Sequence, residues 1–151
     1  QQFKDVIAAF RKEIPQITIA TDIICGFPTE SKDQFNDTIS LIKDVEPDVI
    51  NISRFWPRPG TIAAKQKQLP SREIMRRSGI VTEEYEKSGL ARNKKWIGWS
   101  GEITIIERGK NNSFIGRNEA YKPVILRGNY GVGQKISVKI KDATIYDLRG
   151  E

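Results

Sequence analysis

The 151-residue sequence contains no histidine and only one cysteine, Cys25. The lack of histidine removes the most common metal ligand and the usual base at neutral pH, and one cysteine excludes an internal disulfide framework. We therefore expect no metal site in this chain, and we interpret Cys25, which has apolar neighbours, as a buried small residue. No apolar run reaches the ~20 residues of a membrane helix, and no signal-like segment opens the chain. The expectation is a soluble cytoplasmic protein without membrane contact.

The charge is unevenly distributed along the chain. The formal net charge is +6 and the sequence pI is about 9.5. Residues 1–63 are slightly acidic, whereas residues 64–97 carry nine basic and four acidic side chains and residues 98–151 carry nine and six. Clustered lysine and arginine side chains neutralise phosphates and release counterions. The second part of the chain therefore favours a polyanionic partner such as a nucleic acid.

The first part of the chain alternates between helix and strand patterns. Apolar residues at helical spacing precede Pro15, and residues 17–25 form a nearly continuous β-branched run that predicts a buried strand. Ser31 and Gln34 have the spacing of a helix capping box, and residues 49–52 begin a second strand. This order predicts parallel β/α units. Because two strands alone cannot bury both faces of a sheet, we expect further strands upstream, in a longer protein.

The remaining residues predict a helix followed by a small barrel. A basic segment follows Pro59, and Ser71 is positioned to cap a helix whose apolar positions are sparse. From Trp99 the apolar period changes to two, with short runs that end near Ile145 and are separated by turns rich in glycine, asparagine or aspartate. Five short strands in about 50 residues are typical of a closed β-barrel. The predicted divisions are residues 1–63, 64–97 and 98–151.

Candidate site residues follow the two predicted parallel strands, since the working face of β/α barrels lies at the carboxyl ends of the strands. Asp22 lies within an apolar strand, where its carboxylate needs a hydrogen-bond donor, a cation or a ligand hydroxyl. A structural ion pair is the alternative interpretation. Residues 54–61 place two arginines and two aromatic residues together, a combination suited to stacking on a base and binding a phosphate or carboxylate. A capping loop with a surface ion pair is the alternative there.

The predicted barrel has a basic face. Lys135, Ser137, Lys139 and Lys141 alternate along one strand and would share one side, as an RNA backbone requires. Solvated charge without a ligand is the alternative. The aromatic side chains of Trp96, Trp99, Phe114 and Tyr121 are equally consistent with a core or with stacking platforms. The other candidate RNA-binding residues are Lys94, Lys95, Arg108, Lys110, Arg117, Lys122 and Arg127.

Two motifs resemble those of a known enzyme family. The sequence TDIICGFPTE at residues 21–30, followed by FWPRPGT at residues 55–61, resembles the radical S-adenosylmethionine methylthiotransferases. Residues 116–121 with Val124 resemble the Gly-Arg-x-x-x-Tyr-x-x-Val pattern of their TRAM domain. The resemblance implies the last β/α units of a radical SAM partial TIM barrel, a linker helix, and an OB-like, five-stranded TRAM barrel that binds RNA. The residues of these motifs are most similar to those of the archaeal and eukaryotic branch, which acts on threonylcarbamoyladenosine next to the tRNA anticodon.

The family resemblance also implies cofactors and residue roles. The full-length enzyme would use S-adenosylmethionine and two [4Fe-4S] clusters to add sulfur and then a methyl group at carbon 2 of the base. The cluster cysteines are not in this sequence, so the resemblance implies no catalytic residue here, no bound cofactor and no activity of this part alone. Thr29 departs from the glycine usual after Phe-Pro. The implied S-adenosylmethionine site consists of Asp22, Ile24 and Gly26 at the pocket border, Phe55 and Trp56 beside the adenine, and Arg58 facing the base or cofactor.

The implied partner is a tRNA anticodon stem-loop, and two other functions stay open. One is a stand-alone RNA-binding module without enzymatic activity. The other is a radical SAM methylthiotransferase that acts on a ribosomal protein, for which a less basic barrel surface would be expected. We also expect that the exposed edge of the incomplete barrel at residues 1–63 favours a dimer.

Overall fold

The computed structural model describes residues 1–151 and divides the chain into two compact units. We call residues Ile19–Ser88 the α/β unit. Residues Gln1–Thr18 together with Gly89–Glu151 form the barrel unit, which therefore includes the first helix, α1 (Gln2–Glu13). No helix of the chain combines the length and the apolar character needed to cross a membrane.

The α/β unit contains two parallel strands and the helices that follow them. The elements are β1 (Ala20–Cys25), α2 (Lys32–Val45), β2 (Val49–Arg54), α3 (Ile62–Lys65) and most of α4 (Ser71–Lys94). The strands pair in parallel from Ala20↔Val49 to Cys25↔Arg54. The predicted capping box is confirmed, because Ser31 Oγ accepts from Gln34 N and Gln34 Oε1 accepts from Ser31 N. Ser71 is the first residue of α4, so its predicted place before the helix is wrong by one residue.

Strand β1 is buried less completely than its sequence predicts. Regular strand geometry begins only at Ala20, and the side chains of Asp22 and Ile24 are exposed. The side chains of the opposite face are partly or fully buried, and α2 and α4 of the same unit contribute the buried residues Phe35, Ile42 and Val81. The apolar run predicted burial on both faces, but a two-stranded sheet with helices on one side leaves alternate side chains uncovered. The exposed face carries Asp22 and Ile24, two of the six candidate cofactor residues.

The barrel unit confirms the predicted five-stranded closed barrel. Its strands are β3 (Ser100–Arg108), β4 (Ser113–Arg117), β5 (Pro123–Arg127), β6 (Lys135–Ala143) and β7 (Leu148–Gly150), in the order β3-β4-β5-β7-β6. All neighbours are antiparallel except β5 and β7.

The position predicted for the last strand, near Ile145, is wrong. Thr144 forms a turn there: its backbone N donates to Asp147 O at 2.8 Å, and its Oγ1 accepts from Asp147 N at 3.0 Å. The strand begins only after this turn, at Leu148, which is fully buried.

The barrel encloses one apolar core. Strand residues alternate between this core and the outer surface, as period-two strands do. The residue Trp96, just after α4, is 8% exposed and closes one side of the core. The buried members of the core are Trp96, Ile103, Ile105, Phe114, Val124, Leu126, Val138, Ile140, Ala143 and Leu148.

Candidate functional site

A groove at the carboxyl end of β1 and β2 brings together most of the predicted cofactor residues. Its volume is about 670 Å³, and it lies entirely within the α/β unit. Five of the six predicted residues line it, and only Gly26 does not. Of the other lining residues, Ser53, Arg54 and Thr61 lie in the stretch at and after the end of β2 that the sequence indicated, and only Ala63 was missed. The groove is lined by Asp22, Ile24, Ser53, Arg54, Phe55, Trp56, Arg58, Thr61 and Ala63.

A polar pair lies on the strand face beside the groove. Asn51 Nδ2 donates to Asp22 Oδ1 at 2.8 Å, since the two residues are directly opposite each other in the parallel ladder. Asp22 thus has the donor that its position in an apolar strand required, and the donor is an amide rather than a cation. A carboxylate accepts several hydrogen bonds at once. Asp22 can therefore accept further bonds from a ligand hydroxyl while Asn51 holds its orientation.

Aromatic and arginine side chains follow β2. Phe55 packs edge-to-face against Phe27, with ring centroids 5.3 Å apart, and its backbone N donates to Cys25 O at 2.9 Å. Trp56 is 81% exposed, so its indole is open to a stacking partner. Thr61 Oγ1 donates to Arg58 O at 2.8 Å and closes the turn that carries Arg58. The predicted capping-loop alternative is partly right, because Thr61 also caps α3.

Gly26 shapes the loop between β1 and α2 rather than the groove surface. Its φ is +80°, and a Cβ atom at this position would lie 2.6 Å from Ile74 Cγ1 of α4. Only glycine combines this backbone conformation with so close an approach. The loop therefore lies directly against the N-terminal half of α4.

A buried arginine of α4 anchors the same loop. Arg77 Nη1 contacts Glu30 Oε2 at 2.5 Å and donates to Glu30 O at 3.1 Å, while its Nε donates to Glu73 Oε1 at 2.9 Å. The guanidinium also lies 5.1 Å from the centre of the Phe35 ring. Arg77 is only 4% exposed, so its charge depends on these partners. Sequence reasoning missed it because Glu30 is 47 residues away in the chain.

The anchor changes the pKa of one of its carboxyl groups. Hydrogen bonds from Arg76 and then Arg77 lower the pKa of Glu73 to about 2. Burial raises the pKa of the Cys25 thiol, which is 1% exposed. A protonated, buried thiol is a poor metal ligand. The chain has no group of three or more histidine, cysteine or acidic residues placed to hold a metal ion.

The second candidate site is the outer surface of the barrel. Nine of the ten predicted RNA-binding residues are exposed or partly exposed. On β6 the predicted alternation is observed, since Lys135, Lys139 and Lys141 point outward while Val138 and Ile140 are buried. We call these three lysines the lysine row. Lys135 Nζ lies 3.0 Å from Glu102 Oε1 and Lys141 Nζ lies 2.6 Å from Glu151 Oε1.

The strand register places Arg117 beside the lysine row. Thr104 of β3 is opposite Arg117 on one side and opposite Lys135 on the other. Two further exposed positions, Arg108 and Lys110, lie at the β3–β4 hairpin, where Arg127 is opposite Ser113. The remaining exposed candidates, Lys94 and Lys95, lie at the end of α4 and in the turn after it. The predicted residues therefore form separate groups rather than one patch.

Lys122 does not lie on the outer surface. It is 4% exposed, and its Nζ donates to Asn93 Oδ1 at 2.9 Å. Asn93 Nδ2 in turn donates to the backbone oxygens of Thr144 and Ile145. Lys122 thus ties the end of α4 to the barrel, and we remove it from the proposed RNA surface. Arg149, which is exposed on β7, was missed because the last strand was predicted too early.

The structure also separates core aromatic residues from exposed ones. Trp96 and Phe114 are buried, and Trp99 packs against the same core. Tyr121, however, is 68% exposed. Of the four aromatic residues left open by the sequence, only Tyr121 is largely exposed.

Comparisons with known proteins show similarity along the whole chain. Residues 85–151 match the TRAM domain family. A probable threonylcarbamoyladenosine tRNA methylthiotransferase of Archaeoglobus fulgidus is 36% identical over 151 residues, which is 100% of this chain and 35% of that protein. The one from Pyrococcus abyssi is 39% identical over 152 residues, with the same coverage. The human threonylcarbamoyladenosine tRNA methylthiotransferase is 30% identical over 99% of this chain and 26% of its own length. The chain thus spans about a third of the length of its archaeal relatives.

Proposed function

Because this chain belongs to the TRAM-containing methylthiotransferase family of these relatives, we propose that it is the C-terminal part of a tRNA-modifying enzyme. The reaction would convert threonylcarbamoyladenosine next to the anticodon to its 2-methylthio form. The observation that carries this proposal is the similarity over the whole chain, from the β1–β2 motifs to the last strand of the barrel. The names of the relatives favour tRNA over a ribosomal protein as substrate.

Within this enzyme the α/β unit would contribute the last β/α units of a radical SAM partial TIM barrel. The side chains exposed on the open strand face support this role. Ile24 is 56% exposed and Val49 is 39% exposed on strands that a complete barrel would flank. The predicted division into residues 1–63, 64–97 and 98–151 stays a proposal, as does the dimer.

The groove fits part of an S-adenosylmethionine site. Asp22, oriented by Asn51, would accept hydrogen bonds from ribose hydroxyls, and the open indole of Trp56 would stack beside the adenine with Phe55. Arg58 has no carboxylate partner and would face an anionic group of the cofactor or the reacting base. When bound, S-adenosylmethionine and the iron-sulfur clusters supply the radical, the sulfur and the methyl group. The residues of this chain do not fit a cluster, because the one cysteine is buried.

The barrel would bind the anticodon stem-loop. Its lysine row has the alternation and exposure needed to bind successive phosphates. Lys139 has no carboxylate partner, whereas Lys135 and Lys141 must release Glu102 and Glu151 before they bind RNA. We therefore expect Lys139 to contribute most to the affinity of this row.

The test is binding of the 151-residue chain to an anticodon stem-loop RNA across a salt series. Changing Lys135, Lys139 and Lys141 together to alanine should weaken binding and reduce the slope of log K against log salt by about 2, at roughly 0.7–0.9 per phosphate contact. A matched control changes Lys12, Lys32 and Lys43 of α1 and α2 to alanine, which removes the same charge outside the barrel strands. Equal slopes of log K against log salt for the two variants, or no binding at low salt, would contradict RNA binding by the outer surface of the barrel.

A further inference from the structure

The turn between β4 and β5 holds an exposed tyrosine in an unfavourable backbone conformation. Tyr121 has a φ of +62°, a region that bulky residues rarely occupy. Its side chain is nevertheless 68% exposed, so burial of the ring does not offset this cost. Such strained residues cluster at binding sites, where the surrounding structure holds them in place.

Hydrogen bonds fix this conformation. Tyr121 N donates to Asn118 O at 2.9 Å, and Lys122 N donates to Asn118 Oδ1 at 2.9 Å. Arg117 Nη1 donates to Tyr121 O at 3.0 Å, and the Arg117 guanidinium lies 4.7 Å from the centre of the tyrosine ring. The guanidinium therefore covers one face of the ring and orients it. The large exposed area of the side chain leaves the rest of the ring available.

The same turn contains donors without acceptors. Arg117 Nε and Asn118 Nδ2 are both buried and have no hydrogen-bond partner. Buried unpaired donors are uncommon in folded proteins and carry a free-energy cost. The strained backbone of Tyr121 and the unpaired donors of Arg117 and Asn118 thus occur within five residues of the chain.

A groove of about 790 Å³ adjoins the ring within the barrel unit. It is lined by residues 13–18 and 119–121, which include the apolar side chains of Ile14, Pro15 and Ile17. Thr18 Oγ1 donates to Ala120 O at 2.5 Å and ties the two walls together. The volume is within the range of small-ligand clefts.

Resting on the proposed function, the geometry points to a nucleobase site: the Tyr121 ring is a stacking platform for one unstacked base of the bound RNA, which enters this groove. Carboxylates at both walls, from Glu13 and Glu119, disfavour a phosphate there. The phosphates instead follow Arg117 and the lysine row, which the strand register places side by side across Thr104. Proteins that bind unpaired RNA commonly combine aromatic stacking with such a basic track.

The test measures binding of the full chain to an anticodon stem-loop RNA with 2-aminopurine placed at one loop position at a time. We expect quenching of the fluorescent base at one position or two adjacent positions. Tyr121→Leu, which keeps a Cβ at the strained position, should weaken binding about tenfold, whereas Tyr121→Phe should stay within about twofold. The matched control is Tyr146→Leu, because Tyr146 is 65% exposed in another turn of the same unit.

A salt series separates this inference from the proposed function. Tyr121→Leu should lower the affinity by the same factor at each salt concentration, because stacking releases no counterions. Wild-type binding with no quenched loop position, or Tyr121→Leu binding as tightly as wild type, would overturn the base site while leaving RNA binding by the barrel intact. No RNA binding by the wild-type chain would overturn both. Quenching that persists in Tyr121→Leu would assign the stacking to another residue and also overturn the inference.

Discussion

The two units of the chain differ in how they bury the apolar side chains of their strands. The barrel closes on itself, so each strand has two neighbours and its apolar side chains share one core. The two strands of the α/β unit leave one face open, with Ile24 and Val49 exposed. The proposed functions follow the same division. We propose that the outer surface of the barrel binds a polyanion and that the open strand face of the α/β unit binds a small ligand.

The largest expected effect concerns the anchor of the α/β unit. Arg77→Met removes a buried cation and leaves the Glu30 carboxylate without its partner, which should destabilise the α/β unit by ~3–5 kcal/mol. Hydrogen exchange followed by mass spectrometry should show faster exchange in β1 and α2. The barrel strands should keep their protection.

Arg76→Met is the matched control for this change. Arg76 also binds Glu73 but is half exposed, so its loss should destabilise the unit much less than the loss of Arg77. A similar loss of stability in both variants would show that burial does not explain the contribution of Arg77 to stability. Faster exchange in the barrel as well would show that the two units do not unfold separately.

A substitution in the core of the barrel should destabilise the barrel. Ile103 is 1% exposed, and Ile103→Ala should destabilise the barrel by about 3 kcal/mol through lost burial and the cavity left behind. Ile24→Ala in β1 removes the same atoms from a side chain that is 56% exposed and should change stability by less than about 1 kcal/mol. Unfolding in urea can be followed for the barrel by the fluorescence of buried Trp96. Circular dichroism follows the unfolding of the helices. A large loss from Ile24→Ala would mean that the open face is covered.

The smallest effect concerns the loop after β1. Thr29 has a φ of +71°, which is costly for a β-branched residue. Thr29→Gly should therefore stabilise the α/β unit by about 0.5–1 kcal/mol, the relief of strain being partly offset by the greater freedom of glycine in the unfolded chain. Asn111→Gly, at a φ of +52°, should have less effect because asparagine tolerates this region. Chemical denaturation gives the free energy of unfolding of both variants. Destabilisation by Thr29→Gly would contradict the interpretation that the backbone of Thr29 is strained.

Local patterns predicted much of this molecule. The capping box at Ser31, the parallel strands, and the outward lysines of β6 all depend on spacing within a few residues. The barrel was predictable because period-two strands separated by turns have few ways to bury their apolar side chains.

Other features depend on contacts that spacing does not reveal. Lys122 has the sequence context of a surface lysine, yet it is buried against Asn93, 29 residues away. The anchor formed by Arg77 and the donation from Asn51 to Asp22 also join distant segments. The position of β7 was missed because Ile145 continued the apolar alternation while the turn at Thr144 to Asp147 interrupted the strand.

The most direct test of the central claim is the modification state of tRNA in cells that carry or lack the gene for this protein. Mass spectrometry of tRNA nucleosides from the deletion strain should show loss of 2-methylthio-threonylcarbamoyladenosine and accumulation of threonylcarbamoyladenosine. The wild-type gene should restore the methylthio group, and a gene with Asp22→Ala and Trp56→Ala should restore much less of it. An unchanged nucleoside profile in the deletion strain would contradict the proposed function.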